Sequence, residues 1–180
     1  MDSRHLSDNS GHDGEKLAQG KYAAQATDTV VEIGVLFGET SKILAKNAKC
    51  TVYGIDPIIP DSMNEALVGS LEQIQEVKNE FSNFIFIQDY SYNVVKEWNK
   101  PIDFIFIDGD HNYEAVKKDF DDWYPHVKLN GIIALHDSAA NRDGPFYWGG
   151  PSKLADELIN DDRLEILETV HTMTVFKKIK

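Results

Sequence analysis

Five short apolar runs recur along the chain, and each ends abruptly in glycine or in ionisable residues. They are TVVEIG (29–34), CTVYGIDP (50–57), FIFIQD (84–89), DFIFIDGD (103–110) and GIIALHDS (131–138). Between them lie stretches with helical spacing: ETSKILAKNA (39–48), MNEALVGSLEQIQEVKNE (63–80), NVVKEWN (93–99) and YEAVKKDFDDWYPHV (113–127). In the last of these, Val116, Phe120, Trp123 and Val127 fall on one face, so Trp123 is a core residue. Strands alternating with helices form βαβ units. Runs that are apolar throughout, rather than at every second residue, belong to a parallel sheet covered on both faces. After a further helix, PSKLADELIND (151–161), the runs RLEILETV and HTMTVFKKI follow with almost no gap, which predicts an antiparallel hairpin at the end of the sheet. The expected fold class is α/β: one domain over residues 14–180, opening with a short helix at 14–25, while the polar residues 1–13 read as a mobile tail.

The bulk numbers narrow the function. Eighteen basic against thirty acidic residues leave a net charge of −12. Neither a nucleic-acid backbone nor an anionic membrane suits such a chain as main partner, since both call for a basic footprint. No apolar run approaches the roughly 18 residues that span a bilayer, and residues 1–14 have no apolar core of a secretory signal. The single cysteine, Cys50, forms no internal disulfide, fits a reducing compartment and reads as a small core residue. The expectation is a cytoplasmic protein.

The first strand runs into E-I-G-V-L-F-G-E-T, with Glu32 at its end and glycines at 34 and 38. A glycine-rich turn from strand to helix lets backbone approach a ligand closely. The dinucleotide fingerprint places glycines at positions one, three and six; here they stand at one and five, and Glu39 at the helix start disfavours an anion there. An acid before the turn suits a ligand carrying an ammonium group instead. Asp56 ends the second strand about 20 residues on, where an acid can accept ribose hydroxyls.

Asp108, Asp110 and His111 crowd the end of the fourth strand, and His136 and Asp137 the end of the fifth. Ligands of an open parallel sheet bind at the carboxyl ends of its strands. Desolvated charge is costly unless it is paired or used. Carboxylates with an imidazole suit Mg²⁺, Mn²⁺ or another divalent cation. The simpler alternatives are that Asp108 and Asp110 cap a helix and that His136 is a hydrogen-bonded core histidine.

E-x-G-x-x-x-G followed by a lone acid after strand two, with a terminal hairpin, resembles the class I S-adenosylmethionine-dependent methyltransferases over residues 29–179. D-G-D-H-x-Y-E with a later strand ending in H-D is similar to their metal-dependent members that O-methylate sugars and antibiotic glycosides. The resemblance implies a Rossmann-like, mostly parallel seven-stranded sheet with helices on both faces. It implies that Glu32, Gly34, Gly38 and Ser41 hold the methionine part of S-adenosylmethionine, that Asp56 holds the ribose, that Asp89 lies beside the adenine, and that Asp108 also faces the cofactor. Asp89 could equally cap the next helix. It further implies a cation on Asp108, His136 and Asp137, and His111 as the base that deprotonates the acceptor hydroxyl, a role imidazole suits near neutral pH.

Two departures matter. Ser138 stands where catechol-type relatives place asparagine, and it is a poor ligand. The third metal ligand is therefore open among His136, Asn141, Asp143 and an acid of the 61–65 loop; His136 would favour softer ions. The Gly- and aromatic-rich segment 139–151 reads as a lid or substrate platform, with Tyr147 and Trp148 stacking on a sugar or packing on the sheet edge. Set against this resemblance the chain reads as short, without the long N-terminal helices that often cover the acceptor in relatives; the expectation is that either another subunit of a homo-oligomer closes the site or a large acceptor approaches an open cleft. The expected acceptor is a sugar, glycoside or phenol. The alternatives are a metal-dependent hydroxylase or hydrolase, or a non-catalytic methyltransferase-like subunit.

Overall fold

The computed structural model of the chain describes residues 9–59, 69–139 and 148–180. Helix α1 (Asn9–Gln25) leads into β1 (Thr29–Ile33), α2 (Glu39–Asn47), β2 (Thr51–Ile55), α3 (Ser70–Glu80), β3 (Phe84–Ile87), α4 (Ser91–Val94), β4 (Ile102–Ile107), α5 (Tyr113–Trp123), β5 (Val127–Leu135), α6 (Gly149–Leu158), β6 (Leu164–Val170) and β7 (Met173–Lys178). The strands form one sheet in the order β3-β2-β1-β4-β5-β7-β6. The first five are parallel, and β7 runs antiparallel to both β5 and β6.

The continuous apolar runs separate onto two faces because successive side chains of a strand point opposite ways. In β4, Phe104 and Phe106 join Val30, Leu44, Val52, Ile74 and Val77 under α1, α2 and α3. Ile105 and Ile107 join Val31, Ile33, Val116, Phe120, Trp123 and Leu154 under α5 and α6. Trp123 is fully buried, as its helical spacing implied. Burying each such side chain contributes about 1.5–3 kcal/mol.

Helix boundaries differ from the sequence reading in two informative places. Helix α1 begins at Asn9 rather than near residue 14. Glu15, Ala18, Gln19, Tyr22 and Ala23 form its buried stripe, packed on α2 and the sheet. The segment 113–127 is helical only to Trp123; Pro125 sits in a 3₁₀ turn, and β5 begins at Val127. Of the helix expected over 63–80, the part before Gly69 lies outside the described residues, as do Asn141, Asp143, Tyr147 and the 61–65 loop. No helix among the described residues is long and apolar enough to cross a membrane.

The order reverses between β1 and β4: from β1 the chain builds outward to β2 and β3, from β4 to β5. Ligands of open α/β sheets bind in the crevice at such a switch point. Glu32, Gly34 and Asp108 all stand there.

Candidate functional site

Gly34 follows β1 with φ +86°, and its N–H donates to the Ile55 carbonyl at 3.0 Å. A Cβ at this position would meet the Asp108 carbonyl oxygen at 2.0 Å and the Gly109 nitrogen at 2.9 Å. Only glycine lets the turn after β1 lie this close to the turn after β4. Gly38, with φ +76°, starts α2 and donates to the Val35 carbonyl at 2.8 Å.

Inside this turn, Glu32 is completely buried. One of its oxygens accepts a hydrogen bond from the buried Ser41 hydroxyl, and the other, Oε1, has no partner among the described residues. Burial pushes the Glu32 carboxyl well above the usual carboxylate range; the Ser41 bond opposes this, and the nearby Asp108 and Asp56 add to it. A buried carboxyl with a free oxygen lacks a cation. An ammonium group supplied by a ligand fits that need.

Asp56 is committed differently from the sequence expectation. Its Oδ2 accepts N–H groups from Val35 at 2.8 Å and Leu36 at 2.9 Å, and its Oδ1 accepts from Ile58 at 2.7 Å. It clamps the glycine turn to the end of β2. Holding both ribose hydroxyls would require it to exchange amide bonds of the turn. Asp89 is exposed and accepts from Tyr90 N–H at 2.7 Å and Asn93 Nδ2 at 3.0 Å, bracing the start of α4. The hydrogen bond from Asn93, then that from Tyr90, holds its carboxyl below the usual range. These are the contacts of a helix brace.

At the ends of β4 and β5 the expected cluster forms with a changed membership. His111 Nε2 lies 3.0 Å from Asp137 Oδ2 and 3.9 Å from Asp108 Oδ1. Asp108, His111 and Asp137 offer ligand atoms that all lie within 4.8 Å of one another. Burial works against the ionised Asp137, but the His111 hydrogen bond and the charge of His136 outweigh it and hold its pKa below the usual value. Asp137 has φ +50°, a left-handed conformation in which the backbone turns sharply after β5. The His111 ring stacks on Trp148, with centroids 4.4 Å apart and planes at 29°. Asp110 is not part of this group; it accepts from the Asn112 N–H at 2.8 Å and shapes the turn into α5. Ser138 is buried and donates to the Leu135 carbonyl at 2.8 Å, so its hydroxyl serves the fold.

His136 is engaged at both ring nitrogens. Its Nδ1 lies 3.1 Å from Asp108 Oδ1, and its Nε2 faces Thr172 Oγ1 at 3.3 Å and Glu15 Oε2 at 3.6 Å. Burial opposes charge on the ring, yet the hydrogen bonds to Asp108 and Glu15 prevail and raise its pKa to about 11. Glu15 is affected in the opposite sense. Burial would raise its carboxyl, but hydrogen bonds from His136 and Thr172 bring it to about 2. Through these contacts His136 links Asp108 to Glu15 of α1.

Glu15 and Thr172 were missed by sequence reasoning. Glu15 follows the helical stripe of Ala18, Gln19, Tyr22 and Ala23, which is the one signal that marked it as inward-facing. Helix α1 also contributes to the wall beside the site. His12, Glu15 and Gln19 from α1, with Glu39 and Thr40 from α2 and Asp108 and His136, wall a cleft of about 170 Å³. A larger cavity of about 460 Å³ lies near the start of β5, lined by Lys21, Tyr22, Asn130 and Glu168. The ionisable cluster lies at the opposite ends of the strands, and the smaller cleft is the one that borders it, through Asp108 and His136.

Residues 31–138, more than half of the chain, match the model of a family described as a methyltransferase domain. The chain belongs to this methyltransferase-domain family. An uncharacterized protein of Acanthamoeba polyphaga mimivirus is 29% identical over 140 residues, which are 72% of this chain. The chain spans 60% of the length of that relative. Among solved structures, the O-methyltransferase TomG from Streptomyces achromogenes, in complex with S-adenosylmethionine, superposes with TM-score 0.65 at 15% identity, covering 98% of this chain and 82% of its own. The TDP-rhamnose 3′-O-methyltransferase of calicheamicin biosynthesis gives TM-score 0.67 at 14% identity, covering 96% and 81%. These likenesses establish that the methyltransferase domain has the Rossmann-like fold expected from its strand-end motifs.

Proposed function

We propose that this methyltransferase domain transfers a methyl group from S-adenosylmethionine to a hydroxyl of a small acceptor, a sugar, glycoside or phenol, with help from a divalent cation. The Asp137–His111 pair carries the reading, set with Asp108 across from the glycine turn at the switch point of the sheet. The unpartnered oxygen of buried Glu32 supports a cofactor with an ammonium end. The S-adenosylmethionine complex of TomG and the sugar substrate named for the calicheamicin enzyme support the cofactor and acceptor class. The net charge of −12 and the single cysteine support a small-molecule acceptor rather than nucleic acid, and a reducing, cytoplasmic setting.

S-Adenosylmethionine, when bound, supplies an electrophilic methyl group, and a divalent cation lowers the pKa of a hydroxyl it touches. Asp108 and Asp137 are the residues that would hold the cation. Asp137 accepts the Nε2–H of His111 and so fixes the ring and its tautomer. The lone pair of the neutral ring then lies on Nδ1, which takes the proton that the acceptor hydroxyl gives up. Trp148 packs on the ring and shields it from water. His136 keeps Asp108 in place, and α1 walls the cleft beside it.

The test is His111→Ala with S-adenosylhomocysteine binding as control. Turnover with a glycoside or phenol acceptor should fall at least about a hundredfold, the usual contribution of a general base, while cofactor affinity stays within twofold of the parent. Unchanged turnover removes His111 from the reaction.

A further inference from the structure

Outside the methyl-transfer cluster, a second group of chemistry-bearing side chains meets where α1 crosses the turn between β6 and β7. Glu15 is buried there, its side chain only 4% exposed, while His12 and His171 on either side are open to solvent. His12 Nδ1 lies 3.6 Å from Glu15 Oε2, and His171 Nδ1 lies 3.3 Å from Glu15 Oε1. The two imidazole rings approach edge to face, with centroids 4.8 Å apart and planes at 62°. One ligand atom from each of the three residues lies within 4.8 Å of the others.

We propose that His12, Glu15 and His171 form a second divalent-cation site, selective for a borderline ion such as Zn²⁺, that pins helix α1 to the β6–β7 turn beside the cleft. A tetrahedral zinc with metal–ligand bonds of about 2.0–2.2 Å holds its ligand atoms about 3.3–3.5 Å apart. The His171–Glu15 separation, 3.3 Å to Oε1, matches that spacing, and the His12–Glu15 separation, 3.6 Å to the other oxygen, Oε2, lies just beyond it, so the two carboxylate oxygens each face one imidazole. The two imidazoles must draw closer together about the carboxylate, and His12 lies on the exposed side of α1.

The surroundings are built for it. Thr172 donates both its N–H, at 2.8 Å, and its hydroxyl, at 2.7 Å, to Glu15 Oε1, which fixes the carboxylate. Such outer hydrogen bonds orient metal ligands. His171 occupies the two-residue turn with φ +52°, where glycine or asparagine is favoured, yet its ring is the one that faces Glu15. Two imidazoles and one carboxylate suit Zn²⁺ and its neighbours, whereas Mg²⁺ and Ca²⁺ prefer oxygen alone. The carboxylate pair of Asp108 and Asp137 has the opposite preference. With three protein ligands, one position stays open to water or to a ligand in the cleft. Gln19, one turn further along α1, lines the same cleft and is buried with its Oε1 unpartnered among the described residues. Fixing α1 fixes this wall.

The experiment is calorimetric titration of Zn²⁺ into the full chain and into H12Q, H171N and D137N. Asparagine tolerates the left-handed backbone of position 171, and circular dichroism melts confirm that each variant folds. The parent and D137N should share a tight Zn²⁺ site that weakens at least tenfold in H12Q and in H171N. Bound Zn²⁺ should also raise the melting temperature of the parent and of D137N, and of neither histidine variant. Zn²⁺ binding in H12Q and H171N equal to the parent overturns the proposal. Should D137N bind every ion as the parent does, the cation role of Asp137 falls while this site stands.

Discussion

Replacing Gly34 with alanine tests whether the close approach of the β1 and β4 turns builds the site. An alanine Cβ would stand 2.0 Å from the Asp108 carbonyl oxygen and 2.5 Å from its carbonyl carbon, both backbone atoms that no rotamer change can move. The two turns would have to part by more than 1 Å to restore an ordinary contact. They are tied by the Asp108 N–H to the Ile33 carbonyl at 2.8 Å, directly after the Ile33–Ile107 pairing of β1 and β4. Losing that buried bond costs about 1–3 kcal/mol. Holding alanine at φ +86° costs about 1–2 kcal/mol more, and residual overpacking about 1–3 kcal/mol. These effects overlap, so the expected loss is about 3–6 kcal/mol, a large part of the 5–15 kcal/mol typical of a domain. Gly109 is the control. A Cβ there meets only Asp119 Oδ2 at 3.4 Å and Ile33 Cγ2 at 3.5 Å, ordinary contacts, so G109A should change stability by less than about 1 kcal/mol. Urea unfolding followed by circular dichroism measures both. A G34A loss below about 1 kcal/mol, or a G109A loss as large as that of G34A, refutes the reasoning.

Trp148→Ala removes the ring stacked on His111 and should lower kcat about three- to tenfold, the range of an aromatic contact of about 0.5–1.5 kcal/mol, with cofactor affinity unchanged by calorimetry. Gly150→Ala should also lower kcat, because a Cβ there would stand 2.1 Å from the His111 carbonyl oxygen; a variant with parental kcat contradicts this. Burial raises Asp119 from its ordinary 3.8 to about 6, against a hydrogen bond from Ser91. Its folded pKa lies above its unfolded value, so the stability it allows is complete below pH 3.8 and lost as pH rises through 6. Asp119→Asn should therefore match the parent near pH 4 and exceed it by up to about 3 kcal/mol at pH 8, as urea unfolding at the two pH values will show.

The two-sided burial of FIFI at 104–107 was readable because strand periodicity is local, and so was the final hairpin. The strand-end chemistry was readable because ionisable residues interrupt apolar runs at Asp108, His111 and Asp137. The surroundings of His136 were not. They include Glu15, which reaches Thr172 across 157 residues of chain from a helix whose first turns look like a polar tail. Asp56 was placed correctly at the end of β2, but its partners are backbone amides of Val35 and Leu36, and amides leave no mark on a sequence. The bend after β5 was hidden for a similar reason: Asp137 adopts a left-handed conformation that nothing in H-D-S announces.

The central claim is that one sheet edge holds both the cofactor and a cation. Calorimetric titration with S-adenosylhomocysteine, with and without Mn²⁺, tests it most directly. The account expects micromolar binding of S-adenosylhomocysteine to the parent, together with one Mn²⁺ whose binding disappears in Asp137→Asn. No binding of S-adenosylhomocysteine under either condition would contradict it and return the hydroxylase or scaffold readings to the front.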